Sequence, residues 1–391
     1  MKVLPIKVLF VLDSLYGGGT ERSTAVLLPL LRERGIDARV VVLRPSTGDE
    51  QDLRRSGFSI TQLSATTVAA RARELRAVIA LQQPAIVHTA LFAGDLVGRL
   101  GAWRTGAAVV SSLVNTPYDP ARMTDPNISR WKLRAVQTVD AITARYGTSR
   151  LHAVSQGVAD ENCRALHYPA ARITVVDRGR SRDALGHWSQ QRREHVRQAL
   201  GVGPDTKIVL TAGRQEYQKA HTDLVEAAAI LTRTTAHAQL FVAGRQGNAT
   251  AAVERLVRRI NPETRVTLLG DRGDVADLLV AADVFCLSSR WEGTAGAALE
   301  AMALNCPIVS TDVAGLRGVL AHERNAVMVP ANAPGQLAAG LRRVLDNASL
   351  ANSLRSHGLR DFETRFTIER SADQMKAFYE QVLAEQRGQI G

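Results

Sequence analysis

Cysteine is scarce in this chain: Cys163, Cys286 and Cys306 stand far apart, with no Cys-x-x-Cys pair and no histidine spaced to join them. That excludes a disulfide framework and a structural zinc site, and it points to a reducing compartment, the cytoplasm. All three read as small buried apolar residues. Aromatic residues make up 5% of the chain and no nucleic-acid-binding motif is present, so nucleic acid is not expected as a partner. No apolar run approaches the roughly 18 residues that a membrane-spanning helix needs. The opening stretch, with Lys2 and Lys7, holds too short an apolar core for a signal peptide and reads as a first strand. Low-complexity tracts and short-period repeats are also missing.

What is present is a soluble-type composition, 45% apolar and 22% charged, over 391 residues. That length predicts two domains of roughly 180 residues each. The net charge of +11 is uneven. Residues 1–180 carry 24 Lys and Arg against 15 Asp and Glu, whereas 181–391 carry 25 against 23. A positive field concentrated on one half suits an anionic partner: lipid headgroups, a phosphorylated acceptor or an acidic polymer. An arginine-rich composition with solvated faces gives the same count, so both readings stay open.

Short apolar runs alternate with helix-like segments throughout, the pattern of parallel α/β units. Strands are expected at 6–12, 38–43, 85–88, 107–114, 151–154 and 173–176, with helices such as 21–34 and 69–81 between them. The second half repeats the theme at 208–213, 239–244, 265–270, 283–287, 307–311 and 326–329. Six strands per half predict two doubly wound, Rossmann-like sheets. The boundary falls in 178–206, where a charged helix at 189–200 precedes Gly201-Val202-Gly203-Pro204-Asp205. The expected division is therefore 1–180, then 181–370 with a linker over 181–205, then a final helix over 371–391. Thr367 can cap that helix, whose Ile368, Ala372, Met375, Tyr379 and Leu383 share one face and need a surface to pack on.

The most informative stretch runs from Glu292 through Gly293, Thr294, Ala295 and Gly296 to Glu300, directly after a strand. A strand that leads through small residues into a helix leaves N–H groups directed at one place, which suits a phosphate. A carboxylate one turn later would be repelled by that phosphate and fits instead as an acceptor for ribose hydroxyls. After the strand ending at Gly213 come Arg214 and Lys219. Both are placed at a carboxyl-terminal strand edge, where two cations can stabilise charge developing on a diphosphate.

Taken together, Gly213-Arg214 to Lys219, Val266 to Gly270, Ala282 to Ser289 and Glu292 to Ala303 resemble the donor half of the family 4 retaining glycosyltransferases of GT-B fold. Gly18-Gly19-Thr20-Glu21-Arg22, Pro84 to His88 and Ala153-Val154-Ser155 are similar to its first half, so the resemblance covers nearly the whole chain in the family's order. It implies that Glu300 holds the ribose, that Glu292 faces the sugar, and that Arg214 and Lys219 hold the diphosphate together with backbone N–H groups of Gly293 to Gly296. Leu268 and Gly270 would present backbone to the base. The Gly17-Gly18-Gly19 loop would approach the diphosphate, and the last helix would cross back onto the first domain. The implied activity is sugar transfer with retention, from a nucleotide-diphosphate sugar that is a substrate, with no cofactor and no metal. No Asp-x-Asp occurs on a loop where a cation could bridge the diphosphate. A UDP-sugar is the family's commoner donor, ahead of a GDP-sugar. The implied acceptor is a growing polysaccharide, a glycolipid at the inner membrane face or a small phosphorylated molecule, which allows a peripheral membrane contact.

Three departures from the family's pattern matter. Thr294 and Ala295 stand where an aromatic residue and a glycine are usual, with the glycine displaced to Gly296. Val114 and Asn115 stand where a histidine beside the donor sugar is common; Asn115 could bond a sugar hydroxyl but cannot act as a base. Ala220 replaces the glycine that usually follows the lysine, which reads as a mild change. His88 ends a strand and is a candidate sugar or acceptor contact, with a packed histidine as the competing reading. Arg178 and Arg180 read as solvated hinge arginines that could meet an anionic acceptor. A nucleotide-sugar epimerase of the same fold and a non-catalytic binding subunit remain as alternatives; the first would alter the sugar without releasing nucleotide, and the second would bind without turnover.

Overall fold

The computed structural model describes residues 5–15, 18–45, 49–235, 237–260 and 265–388. Gly17 of the glycine loop lies outside them. The described residues divide into two compact α/β units. The first holds the residues up to Tyr118, Ser129–Gly179 and those from Ile368 on; the second holds Asp119–Ile128 and Arg180–Thr367.

The first sheet contains β1 (Ile6–Leu12), β2 (Ile36–Val42), β3 (Ile60–Gln62), β4 (Ile86–Ala90), β5 (Ala108–Leu113), β6 (Arg150–Ala153) and β7 (Ile173–Val175). All pairings are parallel, in the order β3-β2-β1-β4-β5-β6-β7. The six expected strands are present, and β3 is an addition. Three residues at a sheet edge carry too little periodicity to stand out in a sequence.

The apolar runs look continuous because both faces of a parallel sheet are buried. Parity then sorts them. Val8, Phe10 and Leu12 of β1 join a core with Leu28 and Leu31 of the Gly19–Glu33 helix. Leu9 and Val11 face the other way, among Leu75, Ile79 and Val97. The last helix, Ile368–Gly388, adds Ile368, Ala372, Met375, Phe378, Tyr379 and Val382 to the first of these cores. Its apolar stripe therefore packs on the first sheet.

The second sheet contains β8 (Lys207–Ala212), β9 (Ala238–Ala243), β10 (Val266–Gly270), β11 (Val284–Leu287), β12 (Ile308–Thr311) and β13 (Val327–Val329), all parallel, in the order β10-β9-β8-β11-β12-β13. Each lies within a residue of its expected span. The charged Gln190–Ala199 helix packs within this unit: Arg193 donates to Asp283 Oδ1 at 2.6 Å, and Arg197 to the carbonyl of Thr206 at 2.6 Å. The two sheets bear out the doubly wound α/β class read from the alternating pattern.

Candidate functional site

Strand addition in the second sheet changes direction at β8, which lies between β9 and β11. In such sheets the crevice beyond the carboxyl ends of these strands is where ligands settle. Two loops meet there, residues 213–220 after β8 and 288–295 after β11. Lys219 Nζ forms an ion pair with Glu292 Oε1. The same oxygen accepts the Ser289 hydroxyl at 2.6 Å, and Gln218 Nε2 lies 3.5 Å from Oε2. Glu292 is 4% exposed, while the Lys219 side chain keeps 23% of its surface. A carboxylate fixed inside with an ammonium at the rim can hold a hydroxylated, anionic ligand.

Arg290 joins the two loops, and no feature of the sequence had singled it out. Its backbone N–H donates to Gln218 O at 2.8 Å, Nη1 to Tyr217 O at 2.8 Å, Nη2 to Asp223 Oδ1 at 2.6 Å and Nε to Asn332 Oδ1 at 2.9 Å. A planar guanidinium with five donors can address several acceptors from one fixed position. Arg290 thereby sets the place of the turn that carries Lys219. Arg214 sits further out, its side chain 43% exposed and 3.5 Å from Glu216.

The Gly296–Ala303 helix begins where the second loop ends. Its N-cap is Ala295, which makes no side-chain cap bond; the Ala298 N–H donates to the Ala295 carbonyl at 2.9 Å, and Gly296 and Ala297 begin the turn with no carbonyl of the helix four residues before them. Thr294 and Ala295 are buried. Glu300, one turn along, accepts Arg180 Nε at 2.8 Å. Arg180 is therefore not a solvated hinge residue; its side chain is 18% exposed, and its backbone N–H is bonded to Phe366 O at 2.9 Å. Leu268 and Gly270 lie on β10, two strands from β8, and the Gly270 carbonyl accepts the Gly244 N–H at 2.7 Å.

The carboxyl edge of the first sheet carries a pocket that opens to solvent. Leu12, Thr20, His88, Ser112, Val154 and Arg178 are among its lining residues. Beneath it runs a buried polar chain. Tyr379 Oη lies 2.5 Å from His88 Nδ1, His88 Nε2 2.6 Å from Ser112 Oγ, Ser112 Oγ 2.9 Å from His152 Nδ1, and His152 Nε2 3.4 Å from Val176 O. A carbonyl can only accept, so one direction satisfies every link: His152 Nε2–H donates to Val176, Ser112 to His152, His88 Nε2–H to Ser112, and Tyr379 to His88. Burial favours this neutral state. It pushes His88 well below the usual imidazole range, with His152 adding to the effect, and pushes His152 down to about 4. His88 thus borders the pocket with both ring nitrogens engaged. Asn115 shapes its own loop, its Oδ1 accepting the Thr116 N–H at 2.8 Å and its carbonyl accepting Asn162 Nδ2 at 2.9 Å. Gly18 and Gly19 start the Gly19–Glu33 helix, with the Glu21 carboxylate lying over Gly18. No cluster of three or more His, Cys, Asp or Glu able to hold a metal ion occurs among the described residues.

Comparison with known proteins identifies the family and the fold. The family profile "Glycosyltransferase Family 4" matches residues 17–183, and "Glycosyl transferases group 1" matches 192–361. An uncharacterized glycosyltransferase of Methanocaldococcus jannaschii is 27% identical over 255 residues, covering 63% of each chain. A D-inositol 3-phosphate glycosyltransferase of Jonesia denitrificans is 31% identical over 196 residues, 48% of this chain and 46% of that one. These matches span less than two thirds of the relatives' own length. Among solved structures, Anabaena HepE in complex with UDP superposes with a TM-score of 0.82 at 17% identity, over 96% of this chain and 100% of that one.

Proposed function

The chain belongs to the family 4 glycosyltransferases of GT-B fold, and from that premise we propose that it transfers a sugar with retention from a UDP-sugar to an anionic or membrane-borne acceptor, without a metal. The observation that carries this reading is the Lys219–Glu292 pair at the β8/β11 switch point, beside the start of the Gly296–Ala303 helix. Lys219 and Arg214 supply the positive charge on the departing diphosphate, and Glu292 accepts hydroxyls of the sugar. The bond from the anomeric carbon to the diphosphate oxygen breaks while the acceptor oxygen bonds to that carbon on the same face. The acceptor's proton passes to the released diphosphate. Glu300 and the backbone of Leu268 and Gly270 serve the nucleoside.

UDP as the nucleotide is supported by HepE, solved with UDP and with UDP-glucose. A phosphorylated acceptor is supported by the named activity of the Jonesia relative and by Arg178 in the first-unit pocket. A lipid-borne acceptor is supported by the Arg130–Gly147 helix, which exposes Trp131, Ile142 and Tyr146 among basic residues. No helix among the described residues is long and apolar enough to cross a membrane, so contact with one would be peripheral.

Turnover of UDP-glucose and related donors in water tests the reading. The full chain should release UDP slowly, EDTA should leave the rate unchanged, and Lys219→Ala should lower it by roughly 100-fold or more, the scale on which a group stabilising transition-state charge acts. Lys219→Arg should recover part of the loss if charge is what matters. An absence of nucleoside diphosphate from every donor, or arrest by EDTA, would falsify it.

A further inference from the structure

Arg180 lies at the start of a helix, beside the donor-site loops. A Cβ built on Gly296 would lie 1.6 Å from Arg180 Nη2 and 2.7 Å from Cζ, so the guanidinium rests directly against the first residue of the Gly296–Ala303 helix. The start of a helix is its positive end, and a cation there is destabilised. Glu300 offsets this by accepting Nε at 2.8 Å. Residues 296 and 300 are four apart and share a face. The guanidinium therefore lies along that face, from the carboxylate to the helix start. An anion brought to the same place would meet the positive start of the helix and the guanidinium together. It would also be separated from Glu300, whose negative charge one turn away would otherwise repel it.

The same contact accounts for the displaced glycine. A Cβ at position 296 would force the Arg180 guanidinium out of its present place. Gly296 and Arg180 form a matched pair.

We propose that Arg180 is a third cationic ligand of the donor diphosphate, which it shields from Glu300, and that Gly296 is glycine to admit it. This rests on the donor-site reading above. The full chain is titrated calorimetrically with UDP, GDP and ADP. For whichever binds, the parent nucleoside is followed by ligand-observed NMR. Arg180→Ala should weaken the diphosphate about 10- to 100-fold, the range of a lost charge-assisted hydrogen bond, and leave the nucleoside within about twofold. Gly296→Ala should weaken the diphosphate in the native background and cost nothing further when Arg180 is already alanine. Unchanged or tighter diphosphate binding by Arg180→Ala would make Arg180 a plug and overturn the proposal. Equal losses for diphosphate and nucleoside would make it a structural prop, and additive effects of the two substitutions would separate the pair. If the native chain binds none of the three diphosphates, the donor reading itself falls.

Discussion

Ala220 has φ 48°, in the left-handed region, immediately after Lys219 and at the start of the His221–Leu231 helix. A Cβ there is strained, so the glycine usual in this family at that place has a backbone reason, and its replacement is more than a mild change. Ala220→Gly should stabilise the second unit by about 0.5–1 kcal/mol, the strain relieved less the entropy glycine adds to the unfolded chain. Urea denaturation measures this, and an unchanged or lower midpoint would show that the strain is absent. The residue scale is also where the sequence was least legible. Lys219 and Glu292 could be singled out because their neighbours follow a family pattern. Arg290 could not, and Arg180 reads in the sequence as a solvated hinge arginine, since their partners, Asp223, Asn332 and Glu300, lie 42 to 120 positions away.

Among elements, the Arg130–Gly147 helix departs from the usual inward apolar stripe. Its buried residues are Leu133, Asp140 and Ala144, while Trp131 is 70%, Ile142 55% and Tyr146 68% exposed. The inward orientation is set by a carboxylate: Asp140 accepts Arg99 Nη1 at 2.6 Å and the Tyr118 hydroxyl at 2.7 Å. With its polar anchor inside, the helix turns aromatic residues outward beside Arg130, Lys132, Arg134 and Arg145, the composition of an interfacial helix. Vesicles containing phosphatidylglycerol should float the native chain, and a Trp131→Ser, Ile142→Ser variant should stay behind, as should the native chain in high salt. Equal flotation of both proteins would remove the helix from any membrane role.

For the whole molecule, three buried histidines set a pH dependence. His152 and His221 are each pushed down to about 4, mainly by burial, with Lys219 adding to the effect on His221, and His88 is pushed well below its usual range. An unfolded imidazole titrates near 6.5. Between about 4 and about 6.5 the unfolded chain therefore binds more protons, so stability falls as pH drops through that window. For His152 alone the loss approaches about 3 kcal/mol. Asp95, raised to about 6 chiefly by burial, acts in the opposite sense and offsets part of it. Denaturant midpoints should decline from pH 7 to pH 4, and His221→Asn should flatten the decline. Midpoints that stay level over this range would contradict the neutral, one-directional chain through Tyr379, His88, Ser112 and His152.

The sequence alone determined the doubly wound class and twelve of the strands, because a strand buried on both faces announces itself by local composition. It also offered Lys219, Glu292 and Glu300 as candidates, since they stand after strands and in a helix that local pattern can place. The tertiary structure alone decided that Arg180 lies against Gly296, that Arg290 joins two loops, and that Tyr379 completes a hydrogen-bonded chain begun 291 positions earlier at His88. Such contacts depend on which side chains meet after the sheets have formed, and a buried polar group takes whichever partner the packing brings within reach.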